Sequence, residues 1–460
     1  MKKTDILTLN KNYSSFEGKT VLVCGWARTI RDSKNIAFLE LNDGSFKGCQ
    51  VVLEKQKLEN YDEIIKQITG TAFEVVGRVV LTPNSKQPFE INAESVVIAG
   101  PCEADYPMQK KGHSLEFLRE NCAFRPRTNT FNAVFRIRSE ASFAIHKFFN
   151  EKGFVYVQTP IITASDCEGA GSMFQVTTLD LEKLGKEKLD YKKDYFEKKA
   201  YLTVSGQIDE EPITHSFGKT YTFGPTFRAE RSFTTRHAAE FWMMEPEMCF
   251  AELDDVIENI EAMLKSVISH VMEKCGDELE FLNKFIDNSL ISRLKNVVES
   301  KFVRLSYTEA IEILEKVKDK FQYPVYWGVD LQSEHERYLC EEVFKKPVFL
   351  TDYPKDIKAF YMRQNDDGKT VAAVDLFLPG IGEVVGGSQR EERLEKLLKR
   401  MEELGLNKED YKPYINCRRY GTNKHGGYGL GFERLLMYLT GMSNIRDVSL
   451  YPRTTGNLYE

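Results

Sequence analysis

No apolar run in these 460 residues approaches the ~20 that a bilayer-crossing helix needs. The opening stretch, MKKTDILTLNKNYSS, has two lysines but no apolar core, so no secretory leader is expected. The nine cysteines are odd in number, scattered between Cys24 and Cys417, and never spaced as CxxC. That excludes a disulfide or zinc framework and fits reduced, mostly buried thiols in a cytoplasmic protein. An excess of positive charge is missing too: 63 lysines and arginines face 69 acids, for a net charge of −6. Global charge therefore announces no nucleic-acid partner. Residues 1–100 differ mildly, with 13 cations against 12 acids, which permits a polyanion there without requiring one. The two common phosphate cradles are absent: there is no GxxxxGK[ST], and no GxGxxG between a strand and a helix. There is no internal repeat and no low-complexity tract.

What is present is a chain long enough for two to three domains. Residues 1–100 hold five strand candidates, at 21–28 (VLVCGWAR), 36–42 (IAFLELN), 49–53 (CQVVL), 73–81 (FEVVGRVVL) and 90–98 (EINAESVVI). Asn42-Asp43-Gly44-Ser45 has the chemistry of a tight turn. A short polar helix is expected at 57–68. Five short strands with one helix between the third and fourth is the order of an OB-fold barrel, a platform for oligonucleotides. Residues 100–131 carry Pro101, Pro107 and Pro126 and little periodicity, as a linker would. The expected division is a barrel over 1–103, a linker over 104–131 and a second domain over 132–460.

The second domain opens with an amphipathic helix at 134–152. Val134, Ile137, Ala141, Ile145 and Phe148 fall three and four apart, and Gly153 stops it. Strands are expected at 154–157, 348–351, 359–363, 371–378 and 381–389, and helices at 255–275 (N-cap Asp254), 390–404 and 432–439. The charged run 182–199 reads as a solvated insertion, and 276–330 as a helical one. This order gives an α+β fold with a mostly antiparallel sheet flanked by helices, not an alternating βαβ array.

Three stretches carry candidate chemistry. The first, residues 223–250, reads as strand, polar loop, strand. Arg228 and Glu230 lie two apart, so in a strand they face one side. Arg231, Arg236 and His237 add donors in the loop at 231–239, and guanidinium groups grip phosphate oxygens. The second is Asp375 with 383–390 (EVVGGSQR). Two carboxylates on neighbouring strands suit Mg²⁺ bridging phosphates, and glycines let backbone approach a ligand. The third, 427–434 (GYGLGFER), opens an apolar helix and projects Arg434 from its first turn.

In this order, FRAE at 227–230, Arg236-His237, Glu240-Phe241, GGSQR and GxGxER resemble the motifs of class II aminoacyl-tRNA synthetases. The helix stopped by Gly153 and the strand to Pro160 look like that class's dimer-interface element. A barrel ahead of the catalytic domain points to the aspartyl, asparaginyl and lysyl subgroup. LTVSGQ at 202–207, YTFGPTFRAE at 221–230, PVYWGVDL at 324–331, PKDIKAFYM at 354–362 and PGIGE at 379–383 are similar to asparaginyl-tRNA synthetases of the bacterial type. The likeness runs from about residue 15 to the C-terminus. It departs at Thr455, where the family usually has proline, and in the wording of IDEEPITHS.

The resemblance implies a class II catalytic domain, ATP as substrate, Mg²⁺, and asparagine, tRNA(Asn) and a second copy of the chain as partners. Arg228, Glu383 and Arg434 would be the catalytic residues. Glu230, Arg236, His237, Phe241 and Gly431 would join them around ATP, with Phe241 stacked on adenine. Asp375 and Glu383 would hold the metal. Glu168, Ser205 and Gln207 would bind the amino-acid head, and Glu245 and Arg390 its side chain. Arg28, Phe38 and Gln50 would meet the anticodon. Aspartyl members of the subgroup carry a lysine three residues after the glutamine matching Gln207; here Glu210 stands there, and an exposed acid without a role is the plain alternative. Rival readings are an aspartyl or lysyl enzyme, a non-catalytic RNA-binding relative, and a barrel-less amide-forming relative.

Overall fold

The computed structural model describes residues 1–164, 172–183 and 189–458. Two compact units divide between Phe135 and Arg136. In the first, β1 (Thr20–Ser33), β2 (Ile36–Asn42), β3 (Cys49–Glu54), β4 (Ala72–Leu81) and β5 (Phe89–Gly100) close a barrel in the order β1-β2-β3-β5-β4. Alternation makes it: Cys49, Val51 and Leu53 of β3 point into the core while Gln50, Val52 and Glu54 stay half-buried outside. Between β3 and β4 the helix is the single turn Tyr61–Ile64, shorter than the expected 57–68, and it buries Tyr61 and Ile64. A helix at Ile6–Asn12, not expected from the residue pattern, buries Ile6 and Leu9.

The second unit is built on an eight-stranded sheet. Its strands are β6 (Val155–Tyr156), β10 (Lys219–Phe227), β11 (Glu240–Cys249), β12 (Val303–Ser306), β13 (Val348–Pro354), β14 (Thr370–Leu378), β15 (Gly382–Gln389) and β16 (His425–Gly431). The order is β12-β13-β14-β15-β16-β11-β10-β6. Only the outermost pairs, β12 with β13 and β10 with β6, are parallel. β7 (Ile162–Thr163), β8 (Gln175–Val176) and β9 (Ala200–Leu202) form a separate small sheet, and β17 (Arg453–Thr454) pairs with β18 (Asn457–Leu458). No helix among the described residues is long and apolar enough to cross a membrane.

Several expectations are corrected. The first long helix is Asn129–Glu151, starting before residue 134, so it overlaps the expected linker. Residues 276–330 are not purely helical: β12 lies between the helices and supplies the sheet's edge, where its Val303 to Ser306 pair with β13. Residues 359–363 form no strand; Met362 makes one isolated bridge to Arg390. The helix expected at 390–404 is Leu394–Glu403. The helix Leu253–Lys274 is capped by Glu252, not Asp254, through a reciprocal capping box with Asp255. The strand expected to end near Glu230 ends at Phe227, so Arg228 and Glu230 lie beyond it. The stretch IDEEPITHS lies in a helix, Gln207–Phe217, for which no expectation was made.

Candidate active site

The middle strands share one face, and that face is a floor. Asp375 of β14 pairs with Gly386 of β15, which pairs with Gly429 of β16. A Cβ on Gly429 would stand 3.9 Å from Glu245 Cγ on β11. Two carboxylates therefore flank two bare glycines. Over this floor lies a cavity of about 380 Å³. Its walls include Arg228, Glu230, Arg236, His237, Phe241, Glu383, Gly431 and Arg434, together with Ser205, Gln207, Glu245, Arg390 and Asp375. Residues spread over more than 200 positions of sequence thus converge, although Arg228 and Glu230 do so from a loop. Glu168 lies outside the described residues.

At one end the walls are cationic. The Arg228 guanidinium lies 5.5 Å from the centre of the Phe241 ring. Burial and then the Arg434 charge lower the pKa of both Arg236 and His237. The loop carrying them is tied down: Ala239 N–H donates to Arg453 O at 2.7 Å, Ile445 N–H to Thr235 O at 2.8 Å, and Ser232 N–H to Thr455 Oγ1 at 3.3 Å. Thr455 also lines the cavity.

Next to this end sit Asp375 and Glu383. A Cβ on Gly386 would lie 3.3 Å from Asp375 Oδ1 and 3.5 Å from Glu383 Oε1, so the two oxygens converge on one point that glycine leaves open. Crowding by the surrounding protein and then the charge of Asp375 raise the Glu383 pKa. Such a pair calls for a cation, and hard oxygens at one point fit Mg²⁺ shared with phosphate and water. One cation is already present. Lys358 Nζ donates to Asp375 Oδ2 at 2.6 Å and lies 3.9 Å from the centre of the Tyr353 ring. Burial alone would lower the Lys358 pKa; Asp375 outweighs it and holds the ammonium charged. Behind Glu383 stands Glu336, nearly buried, whose pKa burial and Glu383 push up to about 7.

The other end is polar and closed. Glu245 is buried and accepts from the Ser205 hydroxyl and from Gly206 N–H at 3.0 Å. Burial raises its pKa against those bonds and against the charges of Arg228 and Arg390. Arg390 is buried beside it. Its Nε–H and an Nη2–H donate to Glu247, and Nη1 donates to Ser388 Oγ at 2.8 Å. Below lies a buried network: Glu211 accepts from Arg418 Nη2 at 2.6 Å and meets His425 Nε2 at 3.0 Å. Burial would raise the Glu211 pKa, but Arg418 and His425 hold the carboxyl well below the usual range. Glu210 is no exposed acid. It is fully buried, accepts from Thr220 Oγ1 at 2.8 Å, and burial with the Glu247 charge raises its pKa well above the carboxylate range.

The barrel brings Phe38 and Gln50 to one outer region. Arg31 pairs with Phe38 across β1 and β2, lies 5.9 Å from its ring centre, and donates to Gln50 Oε1 at 3.4 Å. Arg28 lies at the bulge between Ala27 and Thr29, where its Nη1 donates to Asn129 Oδ1 at 2.9 Å. Sequence reasoning missed Arg31, Lys358, Glu247 and Glu336. Lys358 lies inside the quoted stretch PKDIKAFYM, but no spacing rule pairs it with Asp375. For Arg31 the alternation of β1 against β2 was the available signal.

Comparison with known proteins agrees with this geometry. Residues 114–455 match the model of "tRNA synthetases class II (D, K and N)", and residues 21–99 match "OB-fold nucleic acid binding domain". The chain belongs to the class II tRNA synthetases of the D, K and N group. Within that group, it is 61% identical to the asparagine--tRNA ligase of Clostridium acetobutylicum over 99% of both chains. It is 58% identical to the enzyme of that name from Acetivibrio thermocellus, again over 99% of both. A solved asparaginyl-tRNA synthetase from Pyrococcus horikoshii, complexed with asparaginyl-adenylate, superposes with a TM-score of 0.88 at 31% identity, covering all of both chains. The Entamoeba histolytica asparaginyl-tRNA synthetase, also with asparaginyl-adenylate, gives 0.82 at 30% identity over 96% of this chain and 97% of that one.

Proposed function

We propose that this chain is an asparagine–tRNA ligase that works through an asparaginyl-adenylate. The observation that carries the reading is one cavity that joins a cationic end, lined by Arg228, Arg236, His237 and Arg434, to a polar end built of Glu245 and Arg390. Asparagine enters the closed end. An ionised Glu245 uses two acceptor sites on Ser205 and Gly206 and has others left for an amide NH₂. Arg390 has five N–H donors, and Glu247 and Ser388 hold it in place without using them all, so it can donate to the amide oxygen. A substrate aspartate would set a carboxylate against Glu245, and like charges in a closed site repel. Ser205 and Gln207 face the amino-acid head, a role Glu168 shares in this reading.

ATP takes the other end, with adenine over Phe241, its phosphates among the cations of Arg228, Arg236, His237 and Arg434, beside the backbone of Gly431, and Glu230 completes the ATP contacts. The asparagine carboxylate attacks the α-phosphorus, a new oxygen–phosphorus bond forms, and the bond from the α-phosphorus to the bridging oxygen breaks, so that pyrophosphate leaves with that oxygen and the electron pair. Arg228 holds the α-phosphate oxygens where charge develops, and Arg434 holds the leaving end. Mg²⁺, held by Asp375 and Glu383, would neutralise the polyphosphate when bound. No side chain need act as nucleophile, because positioning and fixed charge carry such a step. The terminal ribose hydroxyl of tRNA then takes the asparaginyl group and AMP leaves. Phe38, Gln50 and Arg28 read the anticodon of tRNA(Asn), and Arg31 joins their face.

A homodimer and a cytoplasmic location complete the reading. Val155 and Tyr156 of the β6 edge strand are 38% and 52% exposed, and Phe143 and Ile162 are 60% and 43% exposed, an apolar share that suits a second copy. Light scattering at micromolar concentration would check it. The deciding experiment is ATP–pyrophosphate exchange with asparagine and aspartate side by side, then charging of tRNA. Exchange driven by aspartate and not by asparagine would overturn the assignment.

A further inference from the structure

Glu383 sits one residue past the turn that joins β14 to β15, a place where a strand end has little of its own to fix it. A short helix from another part of the chain fixes it instead. Glu383 N–H donates to Glu336 Oε2 at 3.0 Å, and Gly380 N–H donates to Glu341 Oε1 at 2.8 Å. Two backbone donors at this turn thus end on carboxylates of one helical segment, while Ile381 N–H donates to Leu378 O at 3.2 Å within the turn itself. Those two acids are five apart, and in an α-helix five residues turn the face by about 140°. The segment solves this by changing pitch: Ser333–Arg337 is α-helical and Tyr338–Val343 is π-helical, with Phe344 N–H donating to Leu339 O five residues back at 3.0 Å. A π turn, bonded from i to i+5, brings residues five apart nearer to one face than an α turn does, and such turns are frequent at functional sites.

The fit on the turn side is equally specific. Gly382 has φ +82°, and a Cβ there would stand 2.6 Å from Glu336 Oε2. The glycine gives both the left-handed conformation and the room for the carboxylate. On the far side of Glu383, Arg434 Nη1 donates to its carbonyl oxygen at 2.9 Å. Arg337 fixes Glu341 through bonds of 2.7 and 3.1 Å. Arg236 Nη1 donates to Ser333 Oγ at 3.3 Å, so the same helix touches the cationic loop.

We propose that Glu336, with Glu341 in support, is a positioning residue that sets Glu383 beside Asp375 and so governs how the site receives ATP. The segment 333–343 then belongs to the catalytic machinery, although Glu336 does not line the cavity. The proposal rests on the reading that Glu383 serves the nucleotide end. Glu336→Ala, Glu336→Gln, Glu341→Ala and Glu383→Ala test it in the full chain by pyrophosphate exchange and by calorimetry of ATP and asparagine binding. Loss of one acceptor for a buried N–H predicts that Glu336→Ala weakens ATP binding and raises the ATP KM by about 10-fold or more. Asparagine KM should stay within about twofold, since Glu245 and Arg390 are anchored elsewhere, as one lost contact at a separate site predicts. Glu336→Gln keeps an acceptor oxygen and should restore ATP use to within about threefold, and Glu341→Ala should give a smaller loss of the same kind. If Glu336→Ala shifts both substrates alike, or Glu336→Ala and Glu341→Ala leave ATP use unchanged while Glu383→Ala destroys it, the positioning role is wrong. If Glu383→Ala itself leaves ATP use unchanged, the reading of Glu383 falls instead.

Discussion

Replacing Glu245 by glutamine changes one atom and one charge at the closed end of the cavity. The fold should tolerate it. A glutamine oxygen can keep the Gly206 N–H, and the Ser205 hydroxyl can turn to accept from the new NH₂. Burial already disfavours the ionised form of Glu245, so neutralising it removes a cost. Substrate choice should not survive. Asparagine loses a charge-assisted bond from its amide NH₂, about 1.5–3 kcal/mol, or roughly 10- to 150-fold in kcat/KM. Aspartate loses a repulsion of about 4 kcal/mol, taken for unit charges ~4 Å apart at an effective dielectric constant of ~20. The two changes act in opposite directions on the two substrates, so the preference for asparagine should fall by at least ~100-fold, even if most of the repulsion is relaxed by shielding. The assay is pyrophosphate exchange at saturating ATP with each amino acid titrated separately. A variant that keeps its thermal midpoint and its preference ratio would refute the pocket as described.

Arg228→Ala should abolish adenylate formation, by about 100-fold or more, while leaving the thermal midpoint near that of the parent, because Arg228 stands in a loop beyond β10. Unchanged exchange activity would remove Arg228 from the chemistry. Phe38→Ala should lower charging of tRNA by roughly 5- to 150-fold, the worth of one stacked base, and leave pyrophosphate exchange untouched. Equal losses in both assays would mean a damaged barrel and not a lost contact. Thiol reactivity gives a pH test. Burial pushes the Cys275 and Cys340 thiols up to about 12 and Cys417 up to about 11. A raised thiol pKa means less thiolate at a given pH, so these three buried thiols should resist alkylation at pH 8 and react after Cys24 and Cys102, which burial also raises but which stay half-exposed. Mass mapping of early adducts on Cys275, Cys340 or Cys417 would contradict this.

Much of the molecule follows from the order of residues alone. The barrel strands were legible because alternation of period two needs no partner to be seen, as in CQVVL, where every second side chain is apolar. The helix Leu253–Lys274 was legible for the matching reason: Val256, Ile260, Met263, Val267 and Val271 repeat at helical spacing and all are buried. The residues gathered at the cavity were legible as types, since cations with glycines and paired acids state a chemistry wherever they lie. What the sequence did not hold is which atoms meet. No spacing shows that Lys358 will neutralise Asp375, since that depends on β14 passing beneath a segment without regular structure. None shows that Glu210 is buried, since helix Gln207–Phe217 turns it toward Thr220 of the next strand. The polar loop 231–239 is anchored to residues more than 200 positions away. Local patterns fix elements because their physics acts between near neighbours. Charges of opposite sign find one another only once the sheet has set their register, and that the tertiary structure alone decided.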